Sequence, residues 1–331
     1  MWDSRGRLRP HKINVFSTHE ILLLSTALMR AAAIFGLGCS ANNLKPFQTD
    51  PSVEWCIGMP SLAEQADIIL IFGGDGTVHR KLAQLVALNL PVLVVPAGSG
   101  NDFARALGLR CAKDSLRAWQ KFCHQGNNVR KIDLGVIRPL EAAPKAAEPN
   151  QSPSGISETY FCTVAGVGLD AEVARRANTL PRWLRGHGGY ALSLFPTLFR
   201  FAPFSMKIHT RADDLGESDR NLRSDQPTML AAFANTSSYG GGMKIAPNAK
   251  VDDRLLDVCV VGGVDPFKLA CMFPTIYFGR HLRIREVTSF QAANARVETQ
   301  CPLDVYADGE YVCRTPVEIT VQSGALKILM P

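Results

Sequence analysis

The chain has 331 residues, of which 46% are hydrophobic and 20% are charged, and this is enough for two domains of ordinary size with a buried core. Such a composition excludes a disordered or collagen-like protein. A net charge of +6 is too small for a protein dedicated to nucleic acid, but it suits one that binds phosphates or touches an anionic membrane. The 9 cysteines form no CxxC pair, so we expect reduced thiols and a cytoplasmic location.

The N-terminal apolar run, residues 21–41, is compatible with a signal peptide or membrane anchor and also with a buried helix. Glu20 at its start and Arg30 in its middle would both be costly at bilayer depth. We therefore expect a first strand centred on residues 13–16, followed by a helix that packs in the core.

Two successive units of strand, glycine turn and helix begin at residue 67. The apolar runs 67–72 and 92–95 predict strands buried on both faces, and each is followed by a glycine-rich turn, GGDGT or GSGND. Apolar residues at helical spacing follow each turn. This order predicts an α/β fold in which a first domain, residues 1–125, contains a doubly wound parallel sheet.

After about residue 126 the pattern changes to short strands linked by turns. It predicts a β-rich, sandwich-like and largely antiparallel second domain over residues 126–331, whose last strand is able to return to the first domain. The polar stretches 139–158 and 211–227 are predicted to be loops.

The two glycine turns follow neighbouring strands, at the sheet edge where ligands sit in open α/β folds. Glycine backbone can approach a phosphate closely. Asp75 would repel that phosphate unless it orients Mg²⁺ or a sugar hydroxyl, so the pattern favours a magnesium nucleotide over a plain anion. A tight turn capped by an aspartate is the alternative. The predicted nucleotide contacts are Gly73, Gly74, Asp75, Gly76, Thr77, Gly98, Ser99, Gly100, Asn101 and Asp102.

The order of these and later motifs resembles the catalytic domain of the diacylglycerol kinase family, lipid kinases that include the sphingosine kinases. The later motifs are AGVGLDAEV at 165–173, GGGMKIAPNAKVDDRLLDV at 240–258 and ADGEYV from residue 307. The resemblance extends over residues 67–331 and implies a nucleotide domain followed by a β-rich domain. It also implies transfer of the γ-phosphoryl group of ATP, with Mg²⁺, to a lipid hydroxyl such as that of diacylglycerol, a reaction of phospholipid biosynthesis.

The resemblance assigns roles to four carboxylates. It implies that Asp308 and Asp75 are catalytic, with Asp308 as the general base that takes the proton of the lipid hydroxyl. Glu310 is implied to be a magnesium-linked acid beside the nucleotide, and Asp253 a ligand of a structural magnesium. Without the resemblance, an Asp-Gly pair between two predicted strands is typical of an ordinary hairpin turn. A solvated acidic turn is the alternative for the Asp253 segment, where Arg254 could replace the charge of a cation.

Two departures from the family pattern keep other functions open. Arg80 stands where the family usually has Glu, and nothing in residues 1–66 reproduces the Asn-Pro-x-Ser/Ala-Gly turn that ends its first strand. His79, just before Arg80, occurs in sphingosine kinases. One alternative is a catalytically impaired pseudokinase that binds a nucleotide or a lipid. The other is a NAD-kinase-like enzyme with the same GGDG turn, which the later motifs disfavour.

The segment 171–204 holds five arginines, one glutamate and several interleaved aromatic residues. Such a segment is typical of a surface that docks on anionic lipid, and we expect Trp183 and the neighbouring arginines to lie at the interface. A helical cover for the β-rich domain is the alternative. The expected partner is therefore a lipid substrate at a membrane surface, with peripheral membrane association and no nucleic acid. A homodimer is left open.

Overall fold

A computed structural model describes residues 28–140, 158–179, 197, 201–211 and 220–331. The expected strand at 13–16, most of the predicted loop 139–158 and most of the membrane segment 171–204 lie outside the described residues. Within the described ranges, no helix is long and apolar enough to cross a membrane.

Four parallel strands form the sheet of the N-terminal domain, in the order β2-β1-β3-β4. All six residues of β3 are buried, as its continuous apolar sequence predicts. The strands are β1 (Met29–Phe35), β2 (Val53–Ile57), β3 (Ile68–Gly73) and β4 (Pro91–Pro96). The helices are α1 (Ala41–Leu44), α2 (Asp75–His79), α3 (Leu82–Leu88), α4 (Asp102–Ala106) and α5 (Ala112–Gln125). The predicted α/β class of this domain is confirmed.

The position of the first strand corrects the sequence prediction. Strand β1 lies inside the apolar run 21–41 and pairs with β2 on one side and β3 on the other, so the predicted helix there was wrong. A short apolar run buried on both faces has no period that separates a strand from a helix. Arg30 is tolerated because its guanidinium Nη2 lies 2.9 Å from Asp67 Oδ1 at the exposed start of the strand.

The second domain is rich in antiparallel strands, which confirms the predicted β-rich class. Its first strands are β5 (Val129–Pro139), β6 (Thr159–Phe161), β7 (Val164–Gly168), β8 (Phe204–Arg211), β9 (Arg220–Ala234) and β10 (Leu256–Gly262). The later strands are β11 (Val287–Ala292), β12 (Asn294–Thr299), β13 (Asp304–Ala307), β14 (Glu310–Arg314) and β15 (Val317–Leu329). Its described residues also include the helices α6 (Leu169–Thr179) and α7 (Pro266–Ile276).

Residues 220–227, predicted as part of a loop, form the first half of β9 and pair with β8. Their polar side chains suit a strand with a solvated face, which composition alone does not separate from a loop.

Strands β5 and β15 connect the two domains. Along most of its length β15 runs antiparallel to β5, and at Lys327 and Ile328 it also pairs in parallel with β4. Ile328 belongs to the apolar core of the first domain, whereas Ile319 belongs to a core of the second. One continuous sheet therefore runs through both domains in the described part of the chain.

Candidate active site

The two predicted glycine turns lie in backbone contact. A Cβ atom built on Gly98 would lie 2.5 Å from the Cα atom of Gly74, and one built on Gly74 would lie 2.9 Å from the Cα atom of Gly98. Both separations are shorter than real Cβ contacts, so the close approach of the turns requires glycine on both sides. Adjacent parallel strands, β3 and β4, bring the turns to the same edge of the sheet.

Asp75 fastens the second turn to the first. Its two carboxylate oxygens accept hydrogen bonds from the backbone N–H groups of Asp102 and Phe103, each at 3.0 Å. Burial raises the pKa of Asp75 to about 6, and the charge of Asp102 adds to the effect. Asp75 therefore caps helix α4 from across the site, a role that the sequence did not suggest.

The side chain of Asn101 closes the second turn on itself. Its Oδ1 atom accepts from the N–H of Gly98 at 2.8 Å, and its Nδ2 atom donates to the carbonyl of Gly98 at 2.6 Å. Ser99 is exposed, and Gly100 lies against the Asp75 carboxylate. The backbone at the tip of this turn is therefore shaped by its own side chains and remains accessible.

Asp102 joins the nucleotide domain to the second domain. Its buried carboxylate accepts from Arg105 Nη2 at 2.5 Å and from the N–H of Gly241 at 2.8 Å. Gly241 lies in the GGGMK motif that the sequence analysis noted. The predicted nucleotide contact at Asp102 thus has a carboxylate that is already engaged by protein groups.

A third glycine turn borders the site. Gly36, directly after β1, donates its N–H to the carbonyl of Phe72 at 2.7 Å and packs so tightly on the Thr77 hydroxyl that a side chain would not fit. A glycine turn at the end of the first strand is therefore present, in the sequence Gly36-Leu37-Gly38. The Asn-Pro-x-Ser/Ala-Gly sequence is not reproduced in this turn, but a glycine does follow the first strand, and it was missed because that strand was placed too early.

Asp308 lies in the two-residue turn between β13 and β14, and it is also buried in the site. The φ angles of Asp308 and Gly309 are +51° and +84°, as in the tight turns that favour Asp-Gly. Oδ1 accepts from the N–H and hydroxyl of Thr163 at 2.7 and 2.5 Å. Oδ2 accepts from the N–H of Cys162 and lies 2.9 Å from Nδ1 of His79. The hairpin alternative and the functional prediction are thus compatible.

Asp308 and His79 stabilise each other's charged forms. Burial alone would raise the pKa of Asp308, but the hydrogen bond and charge of His79, with the donors at Thr163 and Cys162, lower it below its ordinary value. Burial alone would lower the pKa of His79, but the Asp308 carboxylate raises it. The Asp308 side chain is 0% exposed and that of His79 10%. No role was predicted for His79. The signal that could have indicated one is its position in the sequence, two residues after Thr77 of the first glycine turn.

Arg80 pairs with the predicted magnesium-linked acid. Its Nη1 atom lies 3.3 Å from Oε1 of Glu310, and Gly76 in the first turn faces this pair. Both side chains are about half exposed, so the ion pair is screened by solvent. The structure therefore brings Glu310 to the glycine turn and sets a cation beside it.

Asp253 makes its hydrogen bond within its own turn, accepting from the N–H of Leu255 at 3.2 Å. The N–H of Arg254, whose φ is +66°, donates to buried Asp133 at 2.7 Å. Across the residues that the structure describes, no three His, Cys, Asp or Glu side chains converge as a metal site. Neither Asp253 nor Glu310 therefore belongs to a ready-made metal cage of protein side chains.

An apolar cavity of about 70 Å³, partly open to solvent, lies in the second domain between α6, α7 and the sheet. One polar pair stands in its wall, where the hydroxyl of Tyr239 donates to Asp170 Oδ1 at 2.7 Å. Burial raises the pKa of Asp170 to about 6. The apolar lining is Leu169, Val173, Leu230, Met243, Ile245, Val261, Leu269, Met272, Phe273, Ile276 and Val287.

Comparisons with known proteins agree with the motifs. Residues 56–137 match the model of the diacylglycerol kinase catalytic domain, and residues 163–330 match that of the YegS C-terminal NAD kinase beta sandwich-like domain. A diacylglycerol kinase of Mycobacterium tuberculosis is 34% identical over 278 residues, which are 82% of this chain and 79% of that protein. One of Bacillus subtilis is 26% identical over 293 residues, 86% of each chain. The crystal structure of a diacylglycerol kinase from Bacillus anthracis has the same fold, with a TM-score of 0.61, 18% identity and coverage of 93% of this chain and 98% of that one.

Proposed function

The chain belongs to the diacylglycerol kinase family, and on this basis we propose that it transfers the γ-phosphoryl group of ATP to the hydroxyl of a lipid such as diacylglycerol. The observation that carries the proposal is the contact between the two glycine turns, with the His79–Asp308 pair at the end of the short helix that follows the first turn. A binding site for the phosphates and a group able to accept a proton are then separated only by the short helix α2.

The phosphates of ATP are proposed to lie along the glycine turns, where glycine residues have no Cβ atoms to obstruct the approach of a phosphate to the backbone. Mg²⁺ is proposed to arrive with ATP as part of the substrate, because the described side chains form no metal cage of their own. Bound to the phosphates, it would neutralise charge that develops during transfer. Glu310, half exposed beside Arg80, is the carboxylate best placed to face that complex.

The apolar cavity of the second domain is proposed to hold an acyl chain of the acceptor. Its lining is apolar apart from the Asp170–Tyr239 pair and His281, as is usual for the part of a ligand pocket that takes a hydrocarbon group. Because a polar group needs a polar partner when it leaves water, the Asp170–Tyr239 pair is a candidate contact for a polar group of the lipid other than the acceptor hydroxyl.

Access to a membrane is proposed to involve helix α7 and the turn after it. Phe267 on α7 and Phe278 in the turn after it are 75% and 74% exposed, and other residues of α7 line the apolar cavity. Exposed Arg280 and Arg283 follow directly. Exposed aromatic rings beside arginines suit the interface of an anionic bilayer. This surface adds to the predicted segment 171–204, most of which lies outside the described residues.

The proposal is tested by incubating the purified protein with Mg²⁺, [γ-³²P]ATP and a panel of acceptors that contains diacylglycerol, other lipid alcohols and NAD. We expect label in a lipid, and we expect this label to be lost in Asp308→Asn. ATP binding without transfer to any acceptor would favour the pseudokinase. The observation that favours a pseudokinase is the ion pair between Arg80 and Glu310, because it engages the carboxylate that is proposed to face the magnesium nucleotide. Label in NAD would contradict a lipid kinase.

A further inference from the structure

We infer that His79 contacts the acceptor hydroxyl and takes its proton through Nε2, and that Asp308 is a positioning residue that acts through His79. The inference rests on the proposed phosphoryl transfer. It assigns to the imidazole the proton-accepting role that the family resemblance gave to the carboxylate.

The hydrogen bonds of Asp308 leave it no place for a substrate. An ionised carboxylate has about four acceptor positions. In Asp308 two are taken by the N–H and hydroxyl of Thr163, one by the N–H of Cys162 and one by Nδ1 of His79. Its side chain is 0% exposed. A hydroxyl could reach Asp308 only after one of these donors had moved away.

His79 has the geometry that Asp308 lacks. Its Nδ1 atom lies 2.9 Å from Asp308 Oδ2, and because that carboxylate is ionised, Nδ1 carries the proton and donates it. Nε2 is then the basic atom of the neutral ring, and the ring makes no other hydrogen bond within the described part of the chain. At 10% exposure, the imidazole is the member of the pair that reaches solvent. Aspartate holds and polarises histidine in the same manner in hydrolytic triads.

The charges around His79 come from three elements. Its own helix contributes Arg80, and the β13–β14 hairpin contributes Asp308 and Glu310. The junction of β6 and β7 contributes Cys162, whose thiol lies 3.5 Å from Asp308 Oδ2 and whose pKa burial raises, so it stays neutral. The two carboxylates outweigh the single arginine, and the pKa of His79 lies above its ordinary value as a result.

In the step inferred here, the O–H bond of the acceptor breaks and its proton moves to Nε2. The electron pair of that bond becomes the new O–P bond to the γ-phosphorus, while the bond from the γ-phosphorus to the bridging oxygen breaks and its electron pair leaves with ADP. The imidazolium keeps its Nδ1–H bond to ionised Asp308. It later loses the Nε2 proton to water, so no other reactant is needed.

Because the base must be neutral, kcat/KM should increase as the pH rises through the pKa of His79 and should be low at pH values below that pKa. If the imidazole is the base, this limb disappears in His79→Asn, and its persistence in that variant would argue for another base.

The deciding variant is His79→Asn, because the Nδ2 atom of asparagine can donate to Asp308 as Nδ1 does but offers no base. We expect its KM for ATP to stay within about threefold of wild type and its kcat to fall by about 10²-fold or more, with loss of the near-neutral limb. Asp308→Asn should also be strongly impaired. An asparagine amide that donates to Nδ1 of His79 leaves the proton on Nε2, which then cannot act as the base. If His79→Asn keeps the wild-type rate and pH profile, the inference is overturned.

A second readout does not depend on turnover. In ¹⁵N-labelled protein, the resonances of one of the 7 histidines should disappear in His79→Asn and so identify the ring. We expect the Nδ1–H tautomer at alkaline pH, and a pKa that falls in Asp308→Asn. An Nε2–H tautomer in the wild type would overturn the inference. Failure of the wild type to label any lipid would instead refute the proposed function, so the two failures are distinguishable.

Discussion

The contact between the two glycine turns can be tested with Gly98→Ala. The new Cβ atom would lie 2.5 Å from the Cα atom of Gly74, and ordinary contacts begin at 3.4 Å, so the turns would have to separate by about 0.9 Å. Overpacking of this kind costs about 1–3 kcal/mol. A displacement of about 1 Å between reacting groups can also lower turnover by about 10²-fold. We therefore expect lower stability, weaker ATP binding and a much larger loss of kcat.

Thermal unfolding, calorimetric titration with MgATP and lipid phosphorylation measure these three effects. The matched control is Gly263→Ala, whose Cβ atom would make ordinary contacts of 3.4–3.5 Å with Pro203 and Pro227 in the second domain. We expect the control to stay within about 0.5 kcal/mol of wild type in unfolding free energy. If Gly98→Ala behaved like this control in all three measurements, the backbone contact between the turns would be refuted.

Three further perturbations follow from the site and its surroundings. Burial raises the pKa of Asp170 to about 6, so the folded protein keeps the proton on Asp170 and loses stability as the pH rises from about 4 to 6. Asp170→Asn lacks this loss and should become more stable than wild type over this range, by at most about 3 kcal/mol in denaturant unfolding. Arg80→Glu should make ATP binding depend more strongly on Mg²⁺, because it replaces the cation beside Glu310 with a second acid. Equal binding with and without Mg²⁺ in calorimetry would contradict this. Phe278→Asp should lower co-sedimentation with anionic vesicles by about tenfold. The control Leu222→Asp, at a site that is 51% exposed, should lower it less, and equal losses in the two variants would argue against the surface at α7.

Local patterns were sufficient to predict the centre of the fold. The apolar runs that became β3 and β4 are each buried on both faces and each precede a glycine-rich turn, and these features predicted a parallel sheet with both turns at one edge. The first strand was misplaced because β1 is apolar except for Arg30, and its pairing with β2 and β3 is a tertiary contact that leaves no local period in the sequence. Correcting its position also supplied the glycine turn at Gly36.

For the candidate site, the sequence suggested which residues to consider but not the contacts that the structure shows between them. Asp75 was expected beside the phosphates, but its carboxylate holds α4, a contact set by the packing of two turns rather than by spacing in the chain. His79 and Asp308 are 229 positions apart, so their hydrogen bond has no local signal. The Asp308–Gly309 turn was visible, whereas the burial of its carboxylate against Thr163 follows only from the sheet, in which β13 pairs with β7.

A structure of the protein with Mg²⁺ and a non-hydrolysable ATP analogue would test the central claim most directly. We expect the phosphates to lie along the turns at Gly74 and Gly98, with the terminal phosphate on the side of the His79 imidazole and with Asp308 still bound to Thr163 and Cys162. Phosphates bound away from both turns would contradict the proposed site. An Asp308 carboxylate released from its donors and turned toward the terminal phosphate would contradict the assignment of His79 as the base.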